Sequence, residues 1–198
     1  MAFYTAAELR RSGLRTASRS STSARAILTY RGFSASDDDF FDIFLSHSYQ
    51  DAAAILGIVE LLEARRIRVY VDWIVDRQLD RTTVNAQTAD LLRRRMKQCG
   101  SMIFATSTSS PASKWMPWEL GYFDGLHGEQ TISIMPIEDD EAASGHFGQE
   151  YLELYRAVEK LPTTGGYFMA AVSPDQTNFV EIYNFATGFN FLEPLNHR

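Results

Sequence analysis

Carboxylates, aromatic rings and hydroxyls are the side chains that could do chemistry in this chain, because the common catalytic motifs are missing. The sequence contains no P-loop, no G-x-G-x-x-G dinucleotide fingerprint and no G-x-S-x-G nucleophile elbow. Its four histidines lie far apart and its one cysteine is Cys99, so we find no metal-binding spacing and expect no metal. Any reaction would therefore depend on acids, rings and backbone groups.

Glu119 is the acid that lies at a predicted helix start. Pro117 suits the first helical position, which would place Glu119 at the third, where the helix dipole favours an ionised carboxylate. An acid there can also serve only to stabilise the helix start. A capping box would need Ser or Thr at the cap, however, and Met116 occupies that place. On this pattern alone, a structural and a functional role for Glu119 both stay open.

Three segments, in consistent order, resemble the motifs of Toll/interleukin-1 receptor (TIR) domains. Residues 42–48 (DIFLSHS) resemble the first strand of those domains, and residues 68–73 (RVYVDW) resemble their second strand leading into the BB loop. Residues 113–122 (SKWMPWELGY) are similar to the segment that holds the glutamate of NAD-cleaving bacterial members. The resemblance covers about residues 39–137. In the enzymatic members the glutamate follows a tryptophan by four residues, as Glu119 follows Trp115.

The resemblance implies a flavodoxin-like α/β sandwich with a central parallel sheet of about five strands. It also implies an enzyme that cleaves the nicotinamide–ribose bond of NAD, with Glu119 as the catalytic residue. Breaking that bond leaves positive charge on the sugar, and a fixed carboxylate can stabilise it or align the ribose hydroxyls. NAD would be a substrate, with no other cofactor, and the product would be ADP-ribose or a cyclic isomer. Similar bacterial proteins often act in antiphage systems such as Thoeris, where a separate effector responds to the product.

Two tryptophans are candidates for contact with the dinucleotide. Trp115 could stack on a base ring and Trp73 could close over it, although large aromatic side chains are more often packing residues. Trp118 lies on a predicted apolar stripe with Tyr122 and Leu126. We therefore assign Trp118 to packing and Trp115 to the ligand, and leave Trp73 open between the two roles.

Hydroxyl groups are expected along the same edge of the sheet, because parallel strands bring their carboxyl ends together. Ser46 ends the first predicted strand of the domain, and Thr106 and Ser107 follow the third. We expect all three near the substrate, although Ser46 and its neighbour His47 could also serve only as strand-end hydrogen-bonding residues.

Two hypotheses in which the protein performs no catalysis also fit the sequence. The chain could be an adaptor that works by TIR–TIR assembly, with Glu119 only a helix-start residue, or a nucleotide-binding protein that performs no chemistry. Assembly and catalysis can also coexist, since NAD-cleaving TIR domains tend to complete their sites between protomers. The expected assembly loop is residues 72–81, with Asp72, Arg77, Leu79 and Arg81 as its candidate contacts.

Charge and composition narrow the possible partners. The formal net charge is -6, yet residues 1–36 hold six arginines and one acid, so the remainder is strongly acidic. An acidic body argues against nucleic acid as the main ligand. No apolar run approaches the ~18–20 residues that cross a bilayer, so we expect no membrane partner. A single cysteine suits a reducing cytosol, so we expect a cytoplasmic protein.

Alternating apolar runs and helical periodicities predict the elements that must position these residues. We expect a basic extension and linker over residues 1–38 and the TIR domain over 39–198, with core motifs in 39–137. The extension could be a helix with Ala6, Leu9 and Leu14 on its inner face, or an organelle transit peptide. Strands are predicted at 40–45, 67–71, 102–105, 132–137 and 167–172, and helices at 55–66, 82–99, 117–126, 151–158 and 174–185.

Overall fold

The computed structural model of the chain describes residues 2–47, 52–71, 86–107, 110–138, 150–189 and 191–195. Strands and helices alternate through the middle of the chain, as the apolar runs predicted. The strands are β1 (Tyr4–Thr5), β2 (Phe41–Ser46), β3 (Val69–Val71), β4 (Cys99–Thr106), β5 (Ile132–Glu138), β6 (Arg156–Thr163), β7 (Gly166–Val172), β8 (Asn178–Glu181) and β9 (Glu193–Pro194). The helices are α1 (Ala6–Arg19), α2 (Ala24–Ser34), α3 (Ala52–Glu63), α4 (Ala86–Lys97), α5 (Met116–His127) and α6 (Ile182–Ala186).

One sheet runs through the whole fold, in the order β3-β2-β4-β5-β6-β7-β8-β9. Strands β3, β2, β4, β5 and β6 pair in parallel, and β6 to β9 continue the sheet with antiparallel pairs. Helices cover the sheet, which is the arrangement that βαβ connections produce. The predicted flavodoxin-like α/β sandwich with about five parallel strands is confirmed.

The two faces of the sheet carry separate cores, because successive side chains of a strand point to opposite sides. Ile43 of β2 and Ile103 of β4 belong to the core that includes the buried residues of α1 and α3. Phe44 and Phe104, one residue further along each strand, belong to the core that includes buried residues of α4 and α5. The candidate catalytic segment therefore packs on the second face.

The N-terminal helix is part of the first core. Gly13 of α1 and Gly57 of α3 lie where the two helices cross, and a Cβ on Gly57 would be 2.1 Å from the backbone oxygen of Leu9. The expected inner positions Ala6 and Leu9 are buried. Leu14, by contrast, is 56% exposed, because the face of α1 that meets α3 runs through Gly13 rather than through its neighbour.

Among the described helices, none is long and apolar enough to cross a membrane.

Helix α4 differs from its prediction in two respects. Cys99 was expected on the inner face of this helix but is the first residue of β4. The arginine triplet 93–95 was expected to form a solvated face, yet Arg95 is only 8% exposed. Its guanidinium donates hydrogen bonds to the carbonyl oxygens of Ala35 (2.8 Å) and Ser36 (2.6 Å). Arg95 is buried because it satisfies these linker carbonyls, which periodicity along one helix does not reveal.

The C-terminal part follows its prediction only at one strand. The strand expected at 167–172 is confirmed as β7. The helix expected at 151–158 is wrong, because a 3-10 turn at Glu150–Leu154 leads directly into β6. Most of the helix expected at 174–185 is also wrong, since β8 occupies residues 178–181 and only α6 is helical. Short apolar runs fit both the helical and the strand period. Here the residues form strands because β6 and β8 pair antiparallel with β7.

Candidate active site

Helix α5 begins one residue earlier than predicted. Trp115 is the N-cap and Met116 is the first helical residue, so Pro117 stands second and Glu119 fourth, with the Glu119 amide donating to the Trp115 carbonyl oxygen at 2.8 Å. The cap is not made by Trp115; instead the Ser113 hydroxyl accepts a hydrogen bond from the Met116 amide at 3.2 Å. Glu119 nevertheless lies in the first turn, where the positive end of the helix dipole favours a carboxylate.

The buried face of α5 contains the carboxylate. Met116, Glu119, Leu120 and Phe123 are the buried residues of the helix, a spacing typical of an inward-facing stripe. The expected packing stripe of Trp118, Tyr122 and Leu126 is rotated away from this face: the first two are only partly buried, and Leu126 is 40% exposed. An acid with 1% exposure on the inward stripe of a helix is unusual.

Ser46 contacts the buried carboxylate directly. Its hydroxyl oxygen lies 2.6 Å from Oε2 of Glu119 and donates a hydrogen bond to it, across 73 residues of sequence. Ser46 is fully buried at the carboxyl end of β2. The structure thus brings together two predicted site residues, one from a strand end and one from the first turn of a helix.

Thr106 lies on the same side of the sheet as this pair. Ser46 is in register with Phe104 of β4, and Thr106 is two residues further along that strand. Because side chains alternate, Ser46 and Thr106 both face the side on which Phe104 packs with α5. Thr106 is fully buried, and its hydroxyl makes no hydrogen bond with the described residues.

Trp115 occupies a different position from the one its expected stacking role would need. It is 4% exposed and belongs to the core that contains Phe104 and Leu120, with its ring meeting Trp118 edge-on at 5.4 Å between centroids. The indole Nε1 makes no hydrogen bond with the described residues. The part of Trp115 that suits a ligand is therefore its buried N–H group rather than a ring face.

Ser107 and Ser110, which follow β4, bond to each other. The Ser110 hydroxyl accepts a hydrogen bond from the Ser107 amide at 2.8 Å, and the two hydroxyls are 3.5 Å apart. Ser107 is buried, as expected for the sheet edge, and Ser110 is buried too. Ser110 is not among the predicted site residues; its spacing of three from Ser107, typical of a hydroxyl that caps a turn, is the sequence signal that indicates it.

Several predicted residues lie outside the described part of the chain. They are Trp73, expected over the substrate, and the assembly-loop residues Asp72, Arg77, Leu79 and Arg81. Their roles stay predictions. Within the described residues, no group of three or more His, Cys, Asp or Glu side chains is placed to hold a metal ion.

Burying the Glu119 carboxylate is unfavourable unless its charge is compensated. An ionised carboxylate loses several kcal/mol on leaving water, so a buried one needs hydrogen bonds or an opposite field. The Ser46 hydroxyl and the start of α5 both supply such compensation. A leucine would fill the same stripe without this cost, which indicates that the acid serves a purpose other than packing.

The candidate site lies at the edge of the sheet where α/β proteins bind their ligands. In open parallel sheets, ligands bind at the carboxyl ends of the strands. Ser46 and Thr106 end two neighbouring strands there, and Glu119 enters from the helix that follows. A carboxylate that accepts a hydrogen bond from a hydroxyl in such a place can stabilise positive charge on a bound sugar.

Comparisons with known proteins narrow this class. No protein-family model matches the chain. Over 120 residues it is 51% identical to the Bacillus cereus (strain MSX-D12) protein named "Probable 3' cyclic ADP-D-ribose synthase ThsB'", which covers 61% of each chain. Over 101 residues it is 34% identical to the Cytobacillus dafuensis protein named "Putative cyclic ADP-D-ribose synthase TIR2", which covers 50% of this chain and 26% of that protein. The chain therefore matches less than two thirds of the length of either relative.

The similarity supports the resemblance that the motifs indicated. Over the matched residues the chain is similar to two proteins whose names describe cyclic ADP-D-ribose synthases.

Proposed function

We propose that this protein cleaves the bond between nicotinamide and ribose in NAD, with Glu119 as its catalytic residue. The observation that carries the proposal is the fully buried contact between the Ser46 hydroxyl and the Glu119 carboxylate at the carboxyl edge of the parallel sheet. The names of both relatives, which describe synthases of cyclic ADP-D-ribose, support the same reaction class.

The reaction needs a fixed negative charge and no redox step. The glycosidic carbon–nitrogen bond breaks, its electron pair leaves with the ring nitrogen, and nicotinamide departs as a neutral molecule. The ribose is left with positive charge, which a carboxylate in a water-poor site stabilises more strongly than bulk water does. A hydroxyl then attacks the same carbon, forms a carbon–oxygen bond and loses its proton to water. No cofactor besides the substrate NAD enters this scheme.

The buried donors around Glu119 are proposed to bind NAD. The Thr106 hydroxyl and the Trp115 indole N–H are buried without a hydrogen bond to the described residues, and each would be satisfied by an oxygen of the substrate. Ser107, buried at the same strand end, is proposed to line the substrate as well. Trp73 stays the predicted residue that closes over the dinucleotide.

The attacking hydroxyl decides the product. Attack by water would give ADP-ribose, whereas attack by a hydroxyl of the substrate's second ribose would give a cyclic isomer. The cyclic product is favoured here because the Bacillus cereus relative carries the name of a 3' cyclic ADP-D-ribose synthase. We further propose that the product acts on a separate effector in antiphage signalling, that the protein works in the cytoplasm, and that copies of it assemble through residues 72–81.

Nicotinamide release from NAD by the wild type and by Glu119→Gln tests the catalytic role. The amide keeps the size of the side chain but removes its charge, so we expect turnover to fall by at least about 10²-fold. Glu159→Gln is the matched control, because Glu159 is also a buried carboxylate (4% exposed) but lies on β6, two strands from β4 in the sheet. That variant should keep wild-type turnover, and chromatography with mass detection identifies the product.

The outcomes separate the enzyme from an adaptor. Equal turnover by the wild type and Glu119→Gln would contradict the role of Glu119. Absence of turnover from the wild type, even at protein concentrations that drive assembly, would favour a scaffold that acts through TIR–TIR contacts. An enzyme that needs assembly should instead show specific activity that rises with protein concentration.

A further inference from the structure

Ser46 is placed by the sheet rather than by a flexible loop. It is the last residue of β2, and it pairs in register with Phe104 of β4. The preceding residue, Leu45, pairs with both Val71 and Ile103, so this end of the strand is held from two sides. Serine has a single side-chain torsion to its oxygen, so its hydroxyl is held in a narrow range of positions.

Glu119 reaches this hydroxyl from a helix on one face of the sheet. Its longer side chain has three torsions, and in the first turn of α5 it could adopt several rotamers. The bond of 2.6 Å from Ser46 to Oε2 selects one of them. Both residues are at most 1% exposed, so water competes little for this bond.

We propose that Ser46 is a positioning residue that fixes the orientation of the Glu119 carboxylate, rather than a contact to the substrate. This role rests on the proposed NAD-cleaving function. Electrostatic stabilisation is effective when the stabilising group is oriented before the charge develops, because no reorganisation is then needed during the reaction. Displacements of about 1 Å from such an arrangement can reduce a rate by about 10²-fold.

A positioning residue and a substrate contact differ in the kinetic constant that they control. Loss of a substrate contact that is equal in the ground and transition states raises KM and leaves kcat unchanged. Loss of carboxylate orientation lowers kcat, because the stabilisation is needed only when the sugar becomes cationic. Ser46→Ala should therefore lower kcat by about 10²-fold while KM stays within about threefold of the wild type.

The matched control for this variant is Ser101→Ala. Ser101 is likewise buried on a strand, where its hydroxyl donates to the carbonyl oxygen of Phe185 at 3.0 Å. It stands near the start of β4, at the opposite end of that strand from Thr106. Ser101→Ala removes a similar buried hydrogen bond, so a comparable loss of thermal stability with unchanged kcat would show that the Ser46 effect is not a general consequence of destabilisation.

Rescue and coupling make the test specific for the hydroxyl. Ser46→Thr keeps a donor and should recover at least tenfold in kcat over Ser46→Ala, whereas Ser46→Cys, a weak donor, should not. In a Glu119→Gln background, Ser46→Ala should lower the remaining turnover by less than twofold, because residues that act as one unit are not additive. If Thr is too large for the buried site and the variant unfolds, the Cys variant and this coupling decide the question.

The results distinguish failure of this role from failure of the proposed function. If the wild type releases nicotinamide and Ser46→Ala raises KM alone, Ser46 is a substrate contact and the positioning role is overturned while the enzyme stands. Equal kinetics of Ser46→Ala and the wild type overturn it as well. A wild type that never turns over NAD overturns the proposed function and, with it, this role.

Discussion

The two faces of the central sheet bury their helices in different ways. The buried positions of α1 and α3 are all hydrophobic residues or glycine. Those of α4 and α5 on the opposite face include Thr88, Arg95 and Glu119. Shape and apolar area are enough to form a core, so each polar group on the second face needs its own explanation.

The second face shows that burial of a charged group does not by itself indicate function. Arg95 bonds to backbone carbonyl oxygens of the linker before β2 and thereby holds that segment on the domain. Glu119 bonds to a strand-end side chain at the edge where ligands bind. A structural charge therefore differs from a candidate catalytic one in its position in the fold and in the group to which it is hydrogen-bonded.

The largest loss of stability is expected at the crossing of α1 and α3. Gly57→Ala places a Cβ 2.1 Å from the Leu9 backbone oxygen, and backbone cannot move aside as a flexible side chain can. We expect the free energy of unfolding to fall by about 3 kcal/mol, measured by urea denaturation.

Gly121→Ala provides the matched control on the other face. A Cβ at Gly121 meets no atom within 4 Å, and the residue lies inside α5. Replacing an exposed helical glycine with alanine should raise the free energy of unfolding by about 0.5–1 kcal/mol. A loss at both positions would contradict the view that only the α1–α3 face depends on close backbone contact.

The next largest loss of stability is expected at Arg95, the buried charge with a structural role on the α4–α5 face. Arg95→Ala removes the guanidinium bonds to the Ala35 and Ser36 carbonyl oxygens, of which Ser36 keeps the bond from the Gln98 side chain, so we expect a loss of about 2 kcal/mol in the free energy of unfolding. Arg94→Ala, at the exposed neighbouring position, should stay within about 0.5 kcal/mol of the wild type. Equal effects in both variants would show that the buried guanidinium does not hold the linker.

At the candidate site we expect a smaller change in the free energy of unfolding, and this change is a gain. Thr106→Val keeps the shape of the side chain and removes a buried hydroxyl that makes no hydrogen bond with the described residues. We expect a gain of about 1 kcal/mol in stability. If this hydroxyl binds NAD, KM should rise by about tenfold in the same variant, since about 1.4 kcal/mol of binding is lost. A stability loss without a change in KM would place Thr106 among the structural residues.

The sequence predicts the parallel part of the fold well because its signals are local. Strands β2, β4 and β5 are runs of apolar residues, as expected for strands covered on both sides. The buried face of α5 could not be predicted in this way: Trp118 and Leu126 are more hydrophobic than Glu119, yet the acid faces inward. The inward-facing carboxylate accepts a hydrogen bond from the hydroxyl of Ser46, 73 residues earlier, and a local pattern does not reveal that contact.

The C-terminal strands, like the buried face of α5, could not be predicted from local sequence signals. Val158 and its neighbours fit a helical period, but pairing of β6 with β7 requires an extended chain. Ser46 and Glu119 could be predicted as site residues from the motifs that they belong to. The contact between them could not, because it depends on how far α5 has rotated on the sheet.

The smallest predicted effect concerns the second buried carboxylate, Glu159. It lies on β6 in the antiparallel part of the sheet, in register with Ala170 of β7. Gln176 donates a hydrogen bond to Glu159 at 3.2 Å. Burial raises the pKa of Glu159, and the hydrogen bond from Gln176 opposes that change.

The raised pKa fixes the sign of the pH dependence. Because the folded protein holds the Glu159 proton more tightly than the unfolded chain does, this group stabilises the fold below the ordinary pKa of 4.5. The contribution is lost as the pH rises through the folded pKa. Glu159→Gln removes the titration, so the stability of the variant relative to the wild type should rise as the pH increases above 4.5.

Urea unfolding of both proteins at several pH values in that window measures the difference. Glu153→Gln, at an exposed position of the preceding 3-10 turn, is the control and should show a difference that does not change with pH. If the Glu159→Gln difference does not change with pH either, the folded and unfolded chains hold the Glu159 proton equally tightly, and burial on β6 does not raise its pKa.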